Sequence, residues 1–143
     1  MTQKIKVQLL RSEAKLPVKA HMGDLGYDLF SSEEVLLSKN EMRLISTGIA
    51  IEFPEGYGGI IKDRSSMVTK KHITTHAGVI DSGYTGEIKI AIRNNLGRSQ
   101  VLGMGEKIAQ LILVPVVSFE VQEVDTVVSS DGRADGGFGS TGK

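Results

Sequence analysis

The sequence predicts an all-β domain, built as a sandwich, jelly roll or barrel. Apolar and polar residues alternate at period two, and the apolar runs are short and separated by Gly, Asn, Asp or Pro. The 3.6-residue periodicity of long helices is almost absent, which argues against βαβ units. In order, Ile5, Val7 and Leu9 alternate with Lys4, Lys6 and Gln8, and a glycine turn at Gly26 leads into a strand carrying Asp28. Short runs follow at Val35–Leu37, Leu44–Phe53 and Gly59–Ile61, then one short helix from about Ser65 to Lys71, with serines suited to capping its first turn. The segment from Gly78 to Ile88 reads as a β-hairpin, and its second strand continues through Ile90 and Ile92. Runs at Val101–Leu102, Ile108–Val117 and Phe119–Val124 complete the set. From Ser129 the chain is too poor in apolar residues to bury much. The organisation expected is one β domain at 1–128 and a flexible glycine-rich segment at 129–143.

Composition narrows the function. The 143 residues suit one hydrophobic core, and 17 Lys plus Arg balance 17 Asp plus Glu, so no general field draws the chain to nucleic acid or acidic lipid. Any anion site must be local. With no cysteine there are no disulfides, thiolate nucleophiles or Cys-ligated metals. No stretch approaches the ~20 apolar residues of a membrane span, and Met1-Thr2-Gln3-Lys4-Ile5 lacks the apolar run of a secretory signal, so a cytoplasmic protein is expected, with nucleus or organelle open.

Two motifs are decoys. Gly137 to Lys143 has Walker A spacing, but no strand precedes it and no Ser or Thr and helix follow it in this sequence. His72 and His76 have zincin spacing without the glutamate base, on residues that favour strand.

Four segments carry chemistry. Gly56 to Ser66 runs a strand into the short helix with Arg64, Ser65 and Ser66 at its start. Read alone, it is equally a capped helix with a surface arginine or an anion cradle. At the mouth of the expected hairpin, Asp81 and Tyr84 are either a turn former and a packing residue or a general base and a flat wall for a ring or sugar. Gln110 sits in an otherwise apolar strand, where its amide needs partners from the fold or from a ligand. The glycine-rich end reads either as a solvated terminus or as a lid that closes on an anion.

Together with Gly26-Tyr27-Asp28-Leu29, these segments resemble the five ordered motifs of the trimeric deoxyuridine triphosphate pyrophosphatases, or dUTPases. The matching residues are Gly26 to Leu29, Arg64-Ser65-Ser66, Gly78 to Asp81 with Tyr84 and Gly86, Gly105 with Ile108 to Ile112, and Arg133 with Gly137 to Gly142. They follow the family's order over residues 26 to 142. The resemblance implies a distorted jelly-roll subunit in a homotrimer, with sites at subunit interfaces completed by an exchanged C-terminal tail. It implies hydrolysis of dUTP to dUMP and pyrophosphate, which keeps uracil out of DNA and supplies dUMP for thymidylate synthesis, with Mg2+ held by the triphosphate and no direct protein ligand. By the same resemblance Asp81 deprotonates water for attack at the α-phosphorus, Arg64 lies near the catalytic centre and Asp28 near magnesium-bound water. Ser65, Ser66 and Gln110 hold phosphates, Tyr84 packs under the deoxyribose, and backbone around Gly78 and Lys89 reads uracil. Phe138 stacks on the base, while Arg133, Gly139, Ser140 and Thr141 close over the outer phosphates.

The chain departs from the family pattern at Asp63, where a proline is common before the arginine, at Ser66, where a glycine is frequent, and at Lys70-Lys71-His72, where Lys-His is common. Two alternatives fit the sequence less well. A dCTP deaminase shares the fold and the Arg-Ser-Ser segment but needs a glutamate ten residues after the aspartate, where this chain has Ala91. A non-catalytic dUTP-binding regulator would be expected to lose Asp81 or the tail motif, and both are present.

Overall fold

Among the described residues, eight of ten strands form two antiparallel four-stranded sheets, ordered β1-β4-β8-β6 and β2-β10-β5-β7, while β3 and β9 pair in a small third sheet. The computed structural model describes residues 3–139 and Gly142. In chain order the elements are β1 (Lys6–Leu9), β2 (Gly26–Phe30), β3 (Val35–Leu37), β4 (Met42–Glu52), β5 (Tyr57–Lys62), α1 (Ser65–Lys71), β6 (Ile73–His76), β7 (Val79–Ile80), β8 (Glu87–Asn94), β9 (Gln100–Leu102) and β10 (Lys107–Pro115). All three sheets contribute to one core, including Ile45, Ile88, Ile90 and Ile92 from the first sheet and Leu29, Ile61 and Leu111 from the second.

The period-two pattern sets the inward face. Ile88, Ile90 and Ile92 are buried, while Lys89 between the first two and Arg93 after the last face outward. Beside β8, the strand β4 is buried without interruption from Ile45 to Ile51. Its register shifts between Ser46 and Ala50, where Gly48 takes φ +69°, so the strand bulges and bends around the core.

Helix α1 covers the residues the sequence predicts, but its cap differs. Arg64 is the N-cap residue, extended at φ −87° and ψ 134°, and no side chain caps the first turn. The serines lie inside the helix, one position too late for the capping geometry. At the other end His72 turns left-handed at φ 53°, and its N–H bonds back to the carbonyls of Met67 and Val68, so His72 and His76 share no helix face. Among the described residues no group of His, Asp and Glu could hold a metal ion.

Two further differences concern pairing. The segment from Gly78 to Ile88 is not a hydrogen-bonded hairpin: β7 pairs with β5 in the second sheet, while β8 lies between β4 and β6 in the first. Gly59 stands opposite Ile80 in the β5–β7 pair, and the turn between β7 and β8 is a corner between sheets. The run Phe119–Val124 forms no strand, because regular structure ends at Pro115 and β10 already has β2 and β5 on its two sides. Phe119 is 85% exposed and Val121 96%. No helix among the described residues is long and apolar enough to cross a membrane.

Candidate active site

The residues singled out by the sequence gather at three separate places on one chain. The first is a cleft of about 300 Å³ at the start of α1, lined by Asp28, Arg64, Ser65, Ser66 and Gln110, with Asp24 and Gly26 at its edge. Strand β10 builds it, because Gln110 pairs with Asp28 of β2 on one side and Lys62 of β5 on the other. Gly26 is required there, since a Cβ on it would run into Gln110 Oε1. The Gln110 amide Nε2 donates to the Asp63 carbonyl at 2.7 Å and tethers the turn that carries Arg64.

Charge in this cleft is organised around Asp28. Arg64 Nε donates to Asp28 Oδ1 at 2.9 Å, and Lys107 Nζ lies 2.9 Å from Asp28 Oδ2. Arg64 and Lys107 offset Asp28 and, at the cleft's edge, Asp24, whose Oδ2 accepts from His21 N–H; the Arg64 guanidinium and the hydroxyls of Ser65 and Ser66, which are not used as caps, supply the donors of the cleft. Asp63, the nearest other acid in sequence, is turned away: its Oδ1 accepts from the N–H and hydroxyl of Thr75, both at 2.6 Å. The arrangement suits a polyanion such as a phosphate chain.

The second place is a cleft of about 470 Å³ at the corner between sheets, lined by Leu44, Val79, Ile80, Asp81, Tyr84, Glu87 and Lys89. The Asp81 carbonyl accepts from Tyr84 N–H at 3.0 Å, closing the turn, and the Tyr84 hydroxyl donates to the Glu87 carbonyl at 2.9 Å. The ring so placed leaves no room for a side chain at 86, since a Cβ on Gly86 would sit 2.6 Å from the Tyr84 hydroxyl. A carboxylate at the rim, a ring as one wall and aliphatic side chains around them suit a flat ring or sugar. Gly78 lies outside this lining, at φ +105°, and its carbonyl accepts from Ile61 N–H at 2.7 Å.

Glu87 is held from behind. Its Oε1 accepts from the Ser46 hydroxyl, from Gly48 N–H at 3.0 Å and from Arg11 at 3.1 Å. Burial opposes ionisation of this carboxyl. The bonds from Ser46 and Gly48, with the cations of Arg11 and Lys89 nearby, outweigh it and hold the group below the ordinary glutamate value. Ala91, where a deaminase-type acid would stand, lies on β8 opposite Leu44.

The third place is the C-terminal segment. Arg133 and Phe138 line neither cleft, Phe138 is fully exposed, and the backbone is left-handed at Phe138 (φ 49°) and Gly139 (φ 85°). The expected phosphate-closing residues Ser140 and Thr141 lie outside the described residues. Sequence reasoning missed Lys107, Glu87 and Arg11. Lys107 had a usable signal in its place beside the Gly105 turn, whereas the other two depend on the β4 bulge, which no local pattern announces.

One chain keeps the first two places apart. A Cβ on Gly58 would sit 3.6 Å from Ser82 N, so the Asp81 turn lies at the Gly58 end of β5, whereas Arg64 follows the other end. At about 3.3 Å per residue, the six residue steps from Gly58 to Arg64 span on the order of 20 Å.

The chain combines a jelly-roll-type β fold with a polar cleft around Arg64 that suits a phosphate chain and, at the other end of β5, a cleft around Tyr84 that suits a flat ring, the features of a nucleotide-binding β protein. The dUTPase family model matches residues 12–142, and the chain belongs to that family. It is 42% identical over 141 residues to the deoxyuridine 5'-triphosphate nucleotidohydrolase of Clostridium tetani, covering 97% of each chain. It is 44% identical over 142 residues to that of Hydrogenobaculum sp., covering 97% of this chain and 98% of the relative. Among solved structures, the dUTPase of Staphylococcus bacteriophage 80alpha with dUPNHPP matches at a TM-score of 0.91 and 34% identity, over 99% of this chain and 100% of the other. A mutant dUTPase from phage phi11 of S. aureus, whose structure describes coordination of a structural Mg(II) ion, matches at 0.81 and 32%, over 89% of this chain and 100% of the other.

Proposed function

We propose that this chain hydrolyses dUTP to dUMP and pyrophosphate at a site assembled from several copies of itself. The observation that carries this reading is the two-ended arrangement along β5, with the polar cleft of Arg64, Ser65, Ser66 and Gln110 beyond one end and the cleft of Asp81 and Tyr84 at the other. Uracil and deoxyribose fit against Tyr84, and the phosphates fit Arg64, Ser65, Ser66 and Gln110. Asp81 takes a proton from water, the water oxygen bonds to the α-phosphorus, and the bond to the β-phosphate oxygen breaks with pyrophosphate leaving. The separation of Asp81 from Arg64 within one chain favours sites shared between copies, and the homotrimer is the assembly that fits family and geometry best.

Magnesium fits the donor set only indirectly. Both oxygens of Asp28 are engaged by Arg64 and Lys107, so the ion would be held by triphosphate oxygens and water, with Asp28 touching that water. Bound there, magnesium neutralises phosphate charge. Residues 129–143 serve as a lid on the 1–128 body, with Phe138 on uracil and Arg133, Gly139, Ser140 and Thr141 on the outer phosphates, and with Gly78 and Lys89 beside the base. Deamination is not favoured, since Ala91 carries no acid and the Glu87 carboxylate is turned into its own network.

The test is pyrophosphate release from dUTP, dCTP, dTTP and UTP, each with and without magnesium. Release from dUTP in strong preference to UTP and dCTP, dependent on magnesium, is expected. Ammonia release from dCTP, or nucleotide binding without turnover, would overturn the reading.

A further inference from the structure

Asp63 occupies a junction that neither cleft includes. It is the last residue before Arg64, in the connection between β5 of the second sheet and α1. Its Oδ1 accepts from both the N–H and the hydroxyl of Thr75, each at 2.6 Å. Its own carbonyl accepts from Gln110 Nε2 at 2.7 Å. Thr75 lies on β6, the outer strand of the first sheet, paired only with β8. An edge strand presents N–H groups outward with no neighbouring strand to receive them. The carboxylate of Asp63 supplies that missing acceptor, so one residue laces β5, β6 and β10 together at the step where the chain delivers Arg64.

We propose that Asp63 is a positioning residue for phosphate recognition, setting through Thr75 and Gln110 where Arg64 leaves β5. A proline before Arg64 would stiffen this turn by fixing φ within the backbone. Asp63 achieves the same end by tying the turn to two neighbouring strands. With its carbonyl and carboxylate both anchored, the extended backbone of Arg64 is fixed, and its Nε meets Asp28 at 2.9 Å. This inference rests on the reading of Arg64 as a phosphate-binding cation.

The test uses the full-length chain and its Asp63→Ala, Asp63→Asn and Thr75→Val variants. Four quantities are measured: kcat and KM for dUTP, the Kd of magnesium pyrophosphate by calorimetry, the Kd of deoxyuridine, and the melting temperature. Asp63→Ala removes two bonds to a charged acceptor, so pyrophosphate affinity and kcat should each fall on the order of tenfold, with deoxyuridine affinity unchanged. Asp63→Asn keeps an oxygen acceptor for Thr75 and should recover most of both. Thr75→Val removes only the hydroxyl bond and should show a smaller loss of the same kind, which keeps the test decisive if Asp63→Ala fails to fold. Unchanged pyrophosphate affinity in folded Asp63→Ala, or an equal loss of pyrophosphate and deoxyuridine, would overturn the proposal. Absence of dUTP turnover in the unmutated chain would instead sink the proposed function, and the role of Asp63 would then be decided by pyrophosphate affinity alone.

Discussion

Gly26 and Gln110 are far apart in sequence and meet in the cleft beside Arg64, each constraining the other. The missing side chain at 26 is the space the Gln110 amide occupies, and that amide in turn holds the Asp63 carbonyl. Gly26→Ala should therefore destabilise the protein by about 1–3 kcal/mol through overpacking. In a Gln110→Ala background the same substitution should cost clearly less, because the Oε1 and Cδ atoms it would meet are gone and only the Cβ of residue 110, at 3.0 Å, remains. Urea unfolding of the four proteins measures both, and an equal cost in the two backgrounds would exclude the collision as the cause. The sequence made Gln110 conspicuous as an amide in an apolar strand, and it made Asp28, Arg64 and Asp81 candidates. It did not reveal Lys107 on Asp28 or Thr75 on Asp63, since both contacts are made between strands distant in the chain.

At the scale of elements, the corner from Val79 to Glu87 depends on Glu87 as well as on its turn residues. The folded state holds that carboxyl below its unfolded value of about 4.3. Its contribution to stability is therefore fully present above that value and is lost as pH falls through the lower, folded one. Glu87→Gln lacks this titration, so its stability should fall less steeply between about pH 5 and pH 3 than that of the unmutated chain. Denaturant midpoints across that range check it, and parallel curves would refute it. The C-terminal segment makes a second case. Phe138 is fully exposed, so deleting residues from Ser130 onward should leave unliganded thermal stability nearly unchanged while removing most of kcat/KM for dUTP. Phe138→Ala should lose part of it, consistent with about 1–3 kcal/mol for stacking on a base. Full activity after truncation would reduce the segment to a solvated end. Element bounds were legible where the local pattern decides them, as for β3, α1 and the inward face of β8. Pairing was not, because β7 joins β5 and β8 joins β4 for reasons of packing that no turn motif encodes.

The whole molecule poses the larger question of assembly. One chain exposes Leu36, Leu44, Val79 and Val101, together with the alternating Val117, Phe119 and Val121, which find no strand to pair with among the described residues. It also leaves Asp81 on the order of 20 Å from Arg64, too far for the base and cation proposed above to act on one phosphorus. Surfaces of this kind, and a site in two halves, fit a protein that is complete only as an oligomer.

Mixing two inactive variants tests this sharing most directly. Asp81→Asn removes the proposed base and should lose on the order of 10²–10⁴ in turnover, and Arg64→Ala removes the proposed phosphate-binding cation at the other end of β5. The two are unfolded together, refolded in equal amounts, and assayed for pyrophosphate release from dUTP, with mixed oligomers verified by native mass spectrometry. If each site draws Asp81 from one copy and Arg64 from another, about one quarter of the sites in randomly mixed oligomers carry both intact residues, and activity should return to about that fraction of the unmutated level. Mixed oligomers no more active than either variant alone would mean that one chain supplies both residues, contradicting a site shared between copies.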